Sequence, residues 1–400
     1  MEFADGTLTF NMFMTLALSV GALGLGMLLR KKIGFLTKFC IPAPVVGGLI
    51  FSIITLILHA TGLVDVSFDE TLKTVCMNMF FTSVGFQASL KTLKRGGIGL
   101  VVLLVVVSVL IFLQNILAVG ISGVLGIDAK IGLTTGSIPM VGGHGTSGAF
   151  GPVLEEAGLE AGTTLCTAAA TFGLIAGSLM GGPLASRLIE KKDLLKTAIP
   201  VDEIKREGEE VKVVGAHSYA TAAFELVIAL GLGSILSMLI ENLGLTFPSY
   251  IGAMLIAAIM RNVSEYTGLY ETPLDDINDI GDICLSLFLG VAMMALKLWQ
   301  LADLALPLII LLAGQTVLMF VFARFVIFNV MGRDYDAAVI CAGCCGFGMG
   351  ATPNAMANMQ TVTNKYAPST KAYLIVPLIG ALFVDFVNSL IITGFINFVK

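Results

Sequence analysis

The sequence predicts an all-α polytopic membrane protein made of two inverted-topology repeats, and three observations predict it. Apolar residues make up 56% of the 400-residue chain and charged residues 13%, about half the charged share of an ordinary soluble domain. Mean hydropathy is +0.93, with long apolar runs along the whole length. Two clusters of glycine and small polar residues, 137–150 (SIPMVGGHGTSGAF) and 343–358 (GCCGFGMGATPNAMAN), interrupt such runs. Gly costs about 1 kcal/mol and Pro about 3 kcal/mol relative to Ala in a helix interior, so neither cluster suits a continuous helix. Irregular backbone at membrane depth survives only where protein or a water-filled cavity satisfies its N–H and C=O groups. The clusters therefore read as the tips of broken or re-entrant hairpins lining a site.

A spanning helix needs about 20 apolar residues. In the first half the runs are 8–29, 45–60, 75–90, 98–125, the broken stretch 131–154, and 163–189. In the second they are 219–240, 248–260, 283–298, 304–330, the broken stretch 337–357, and 373–399. The expected organisation is an N-terminal repeat at 1–189, a charged cytoplasmic linker at 190–217 and a C-terminal repeat at 218–400, each repeat holding five spans and one hairpin. Thirteen of the 23 residues in 190–212 are charged, as a solvated linker requires. Residues 1–29 lack a basic n-region, and Arg30, Lys31 and Lys32 follow the apolar run, which predicts a retained first helix instead of a signal peptide.

The halves share one register. Pro42 matches Pro248, Leu90 and Lys91 match Leu296 and Lys297, Gly126 and Asp128 match Gly332 and Asp334, and Gly142, Thr146 and Ala149 match Gly348, Thr352 and Ala355, always 206 residues apart. A constant offset argues for internal duplication, and an odd number of crossings per repeat turns the second upside down. With the first residue outside, 18 of the 23 Lys and Arg fall on the cytoplasmic segments 30–40, 91–95, 187–217, 261–281 and 333–371. That asymmetry is the one the positive-inside rule demands; it puts both termini outside the cytoplasm and one hairpin on each face.

Inverted repeats with broken helices are the pointer to a secondary transporter's binding site. A half-helix N-terminus offers unpaired N–H groups and partial positive charge to an anion. In the first cluster the candidate contacts are Thr135, Ser137, Gly142, Gly143, His144, Gly145, Thr146 and Ser147. In the second they are Gly346, Gly348, Gly350, Thr352 and Asn354, with Pro353 suited to a first helical turn. His144 reads as ligand donor, proton carrier or internally satisfied polar residue. Intramembrane carboxylates default to functional hypotheses: Asp385, with Asn388 and Ser389 three and four residues on, puts three oxygens on one helix face and suits a hard cation such as Na⁺. Gln114, Asn115 and Gln315 read as interhelical hydrogen-bonding groups before substrate contacts, and Arg324 as snorkelling. The seven cysteines, Cys40 among them, read as small buried residues. A lone His and a carboxylate without a partner make no catalytic constellation, so no enzyme, resident cofactor or nucleic-acid partner is expected.

The motifs GGHGT at 142–146, GFGMGATPNAMANMQ at 346–360, LSLFL with LKLW at 285–299, YDAAV at 335–339 and VDFVNSLII at 384–392 resemble the bacterial sodium/glutamate symporters over nearly the whole chain. The resemblance implies Na⁺-coupled uptake of L-glutamate across the bacterial cytoplasmic membrane, a homodimer, and elevator-like movement of a transport domain against a scaffold. The residues alone support an anion held by backbone amides with a cation nearby; carriers of citrate or malate would share that architecture.

Overall fold

Asn11 opens the first long helix by accepting a hydrogen bond from Met14 N (3.0 Å), and Arg30, Lys31 and Lys32 close it at its negative dipole end. The computed structural model describes residues 2–4, 6–39, 41–91, 97–197, 216–241, 250–299 and 305–399. Cys40, Pro248 and most of the charged linker lie outside them.

Strands β1 (Glu2–Ala4) and β2 (Thr7–Phe10) precede helix α1 (Met12–Lys32) and the short α2 (Gly34–Lys38). Then come α3 (Ala43–Ala60), β3 (Asp65–Phe68), α4 (Thr71–Gln87) and α5 (Gly97–Leu125). The first broken stretch divides into α6 (Ala129–Leu133), α7 (Ser137–Met140) and α8 (Gly143–Glu156), followed by α9 (Gly162–Lys192). The second half holds α10 (Ala216–Glu241), α11 (Tyr250–Thr267), α12 (Leu274–Met294) and α13 (Ala305–Val330), the last with a π turn at Ala323–Ile327. Its broken stretch is α14 (Tyr335–Phe347) and α15 (Thr352–Lys365); α16 (Thr370–Leu378) runs through a π turn into α17 (Val384–Val399).

Among the described residues, seven helices are long and apolar enough to cross a membrane: α1, α3, α5, α9, α10, α12 and α13. Helices α4, α11 and the α16–α17 run stand at the other three expected spans. The chain is thus a mostly helical, multi-pass membrane protein. Two details depart from the expectation. Helix α12 begins at Leu274, ahead of 283, because Asp275 and Asp276 favour a helix's first turn as strongly as apolar residues favour its middle. A three-stranded sheet also forms, β1 antiparallel and β3 parallel to β2, from short segments of strand-forming residues (TLTF, DVSF). It is sealed by Phe10 stacked on Phe68 at 5.7 Å.

The helices sort into two bundles that each draw on both halves of the sequence. Helices α1, α3, α4, α10, α11 and α12 pack on one another, and α5 to α9 pack with α13 to α17. In the first bundle α1 and α3 touch backbone to backbone: a Cβ on Gly47 would stand 1.7 Å from Ala22 O. At one end of that bundle, the His59 ring stacks on Trp299 at 4.0 Å while its Nδ1 meets Asp65 Oδ1 at 2.6 Å.

Gly47→Ala is expected to force α1 and α3 apart and to lower the yield of folded protein, by a cost of about 1–3 kcal/mol for overpacking. Monodisperse recovery after detergent extraction checks it, with Gly21→Ala, which has open space around it, as the neutral comparison.

Candidate functional site

The two broken stretches meet. Gly143, at the start of α8, has φ +58°, a left-handed conformation that favours glycine. A Cβ there would lie 2.7 Å from the carbonyl oxygen of Gly350, in the break between α14 and α15. Tip therefore touches tip inside the second bundle. The breaks follow from the sequence: Gly136 and Gly142 stand between successive helical runs on one side, and on the other Gly348 and Gly350 precede Pro353, which sits in the first turn of α15.

Helix α5 holds both tips through adjacent side chains. Gln114 Nε2 donates to Gly348 O (2.9 Å) in the second hairpin. Asn115 clamps the first: its Nδ2 donates to Ser137 Oγ (2.7 Å), and its Oδ1 accepts from Ser137 N (3.1 Å). From the far side, Asn388 Nδ2 on α17 donates to Ser137 O (3.1 Å). Gln315 Nε2 on α13 donates to Gln114 O (2.8 Å), and Asn354 Nδ2 on α15 donates to Leu174 O of α9 (2.9 Å). Of these, Ser137 N and Gly348 O are backbone groups at the helix breaks, satisfied by amide side chains instead of water, while Gln114 O and Leu174 O lie inside continuous helices.

The sequence-predicted residues divide by what they touch. Thr135 Oγ1 donates to Gly132 O within the hairpin (2.8 Å) and Ser147 Oγ to Cys166 O of α9 (3.2 Å), so both hydroxyls are engaged by backbone. His144 is 4% exposed and its Nε2 lies 3.0 Å from Thr171 Oγ1. Since Thr171 Oγ1 donates its own proton to Thr167 O, it accepts from the imidazole, which assigns the proton to Nε2. Thr146 is 2% exposed against Gly142, and Thr352 is half-buried beside Gly380. Gly346 packs on Ala355, Gly348 on Cys344 and Met319, and Gly350 on Asn354 and Leu174. Gly145 faces Phe80 and Leu285 of the first bundle, 3.5 Å or more from where its Cβ would stand.

On α17, Asn388 and Ser389 are fully buried while Asp385 is half-buried. Buried oxygens without a hydrogen-bond partner gather about the hairpins: Gln114 Oε1, Gln315 Oε1, Asn354 Oδ1, Asn388 Oδ1 and Ser389 Oγ. Among the described residues no group of three or more His, Cys, Asp or Glu side chains is placed to hold a metal. A cation here would be held by neutral oxygens with at most one carboxylate. Asn115 makes the interhelical hydrogen bonds expected of it; Thr171 is the residue that sequence reasoning did not weigh. The available signal for Asn115 was the Gln-Asn pair in the middle of an otherwise apolar 29-residue helix; Thr171 carried none.

Two helix breaks joined at their tips, wrapped by membrane-length helices and lined by unpaired neutral oxygens, define a multi-pass membrane transporter. The sodium/glutamate symporter family model matches residues 8–368. The chain belongs to that family and is a transporter, not an enzyme. It is 38% identical over 383 residues to the sodium/glutamate symporter of Escherichia coli K12, covering 94% of this chain and 95% of that protein. To that of Haemophilus influenzae it is 39% identical over 387 residues, covering 95% and 96%. A solved sodium proton antiporter from Methanocaldococcus jannaschii aligns over 96% of this chain and 98% of its own at 17% identity and a TM-score of 0.42, too loose a likeness to carry an argument.

Two substitutions test the tip geometry. Gly143→Ala places a Cβ in left-handed backbone against Gly350 O and is expected to destabilise by at least about 1–2 kcal/mol, whereas Gly145→Ala, with room for a methyl, is expected to leave the melting temperature in detergent unchanged. Asn115→Leu strands the N–H and hydroxyl of Ser137 and is expected to cost about 2–4 kcal/mol, read as a lowered melting temperature.

Proposed function

We propose that the protein carries L-glutamate into the cell together with Na⁺ across the bacterial inner membrane, the second bundle moving as an elevator against the first. The observation that carries the reading is the junction of the two tips, Gly143 on Gly350, inside one bundle that packs apart from the other. Family membership and the printed names of the relatives supply the cargo. In this reading glutamate binds between the tips, where the N-termini of α8 and α15 offer N–H groups to its carboxylates. Thr146 and Thr352 add hydroxyls. Na⁺ binds beside it at Asn388, Ser389 and Asp385, whose oxygens include two without partners. The alternative cargo is another small carboxylate such as citrate or malate.

The contact between bundles favours sliding. Helix α8 presents Gly145 and Gly148 to Phe80, Leu285 and Phe288, and Phe150 meets Tyr250 edge-on at 5.8 Å. The face these residues form is mostly apolar, so little hydrogen bonding along it has to break. A charged cleft of about 450 Å³, lined by Glu70, Lys73, Glu155 and Lys297, opens between the bundles at the N-terminal end of α4, and an apolar one opens at its C-terminal end.

The halves of the chain are read as inverted repeats, with both termini outside and the protein a homodimer. Element bounds support the repeat: moved by 206 residues, α3 at 43–60 falls within one residue of α11 at 250–267, and α5 at 97–125 within two residues of α13 at 305–330. Each charge carried through 100 mV contributes about 2.3 kcal/mol, so two or more Na⁺ per glutamate would make uptake electrogenic and concentrative.

Protein reconstituted into vesicles is expected to accumulate labelled glutamate only under an inward Na⁺ gradient. Thr146→Val and Thr352→Val are each expected to weaken Na⁺-dependent glutamate binding about 10-fold, the loss of roughly one hydrogen bond to a charged group. Uptake indifferent to the gradient overturns the coupling. Equal uptake of citrate or malate overturns glutamate as the cargo, and unchanged affinity in both variants moves the site off the tips.

A further inference from the structure

We infer that the cleft at the C-terminal end of α4 binds an acyl chain of a membrane phospholipid, wedged between the two bundles. The cleft holds about 650 Å³. One wall is α11, through Leu255, Ile259 and Val263; the other is the start of α17, through Phe383, Phe386 and Val387. The first belongs to one bundle and the second to the other.

The wall has little to offer a polar solute. Asn262 is engaged on both sides of its amide, Nδ2 donating to Ala88 O (2.7 Å) and Ala258 O (2.8 Å), and Oδ1 accepting from Leu90 N (2.9 Å). Thr267 Oγ1 donates to Val263 O (2.6 Å) and accepts from Leu269 N (3.3 Å). Water gains nothing in a space without free polar partners, and an empty apolar space forfeits dispersion contacts along its lining. Hydrocarbon is the filling that loses neither.

Its source is the surrounding membrane. Ile259 is 56% exposed and Val263 41%, so the cleft is continuous with the apolar outer face of α11. A polar end lies one turn further on, where Tyr266 is 57% exposed. An exposed tyrosine at the end of an apolar face marks headgroup depth. The cleft thus matches one lipid molecule in order, polar end then chain. Because Phe386 and Val387 precede Asn388, which holds the first hairpin through Ser137 O, a chain in the cleft touches the helix that steadies the site. Its effect on transport rests on the reading above; its binding does not.

The test uses the purified full chain in detergent with a small amount of phospholipid bearing a diazirine on its acyl chain. Saturable photolabelling is expected in the peptides covering 255–267 and 383–387, competed by unlabelled phospholipid. Ala258→Phe and Val387→Phe, which fill the cleft from opposite walls, are each expected to cut that labelling about fivefold, a change of about 1 kcal/mol in affinity. Labelling of the wild type that does not saturate, or that spreads equally over exposed α5 residues such as Val105 and Phe112, overturns the proposal. So does saturable labelling at the cleft that both folded variants keep. Labelling as expected with no glutamate uptake in vesicles counts against the transporter reading alone.

Discussion

The structure depends on one constraint: backbone polar groups exposed by a helix break must be satisfied where there is no bulk water. Two breaks stand within one bundle, and adjacent amides on α5 answer both, Gln114 for Gly348 and Asn115 for Ser137. Asn388 adds a contact from α17 to Ser137 O, and Asn354 ties α15 to α9 through Leu174 O. An amide side chain suits the task because it donates and accepts at once. Where only the nitrogen is used to hold backbone, the oxygen is left over. That is the origin of the orphaned oxygens of Gln114, Gln315, Asn354 and Asn388. The scaffold of the tips and the cation-friendly lining beside them are two ends of the same side chains.

The second consequence concerns which surfaces bond and which merely touch. Hydrogen bonds fix the hairpins within their own bundle. Against the other bundle the hairpin shows glycine to aromatic rings, Gly148 to Phe288 and Gly145 to Phe80. Packed apolar surfaces of this kind resist separation but have little directional preference, which is the property a movable contact requires.

Much of this was legible in the sequence. The breaks followed from glycine and proline, whose cost in a helix is local and does not depend on what surrounds it. Asp128 and Asp334, paired by the 206-residue register, both became helix caps, accepting from Lys130 N and Ala337 N. What was not legible depends on distance in space. Periodicity says that α4 and α12 are apolar but not that they pack together apart from α5 and α13. His144 carries no sign in the sequence that Thr171, 27 residues on, will satisfy it. Asp385, Asn388 and Ser389 share a helix face by spacing, yet their burial differs, because burial is decided by Ser137 and its neighbours arriving from the other half of the chain. The early start of α12 was missed because its acidic first turn resembles a loop when judged by hydropathy alone.

The chain contains one tryptophan, and Trp299 stacks on His59 at the end of the first bundle. The tryptophan fluorescence of this protein therefore originates in the bundle that does not contain the hairpins. A spectral change on adding solute would report a signal carried from the hairpins across the glycine–aromatic seam.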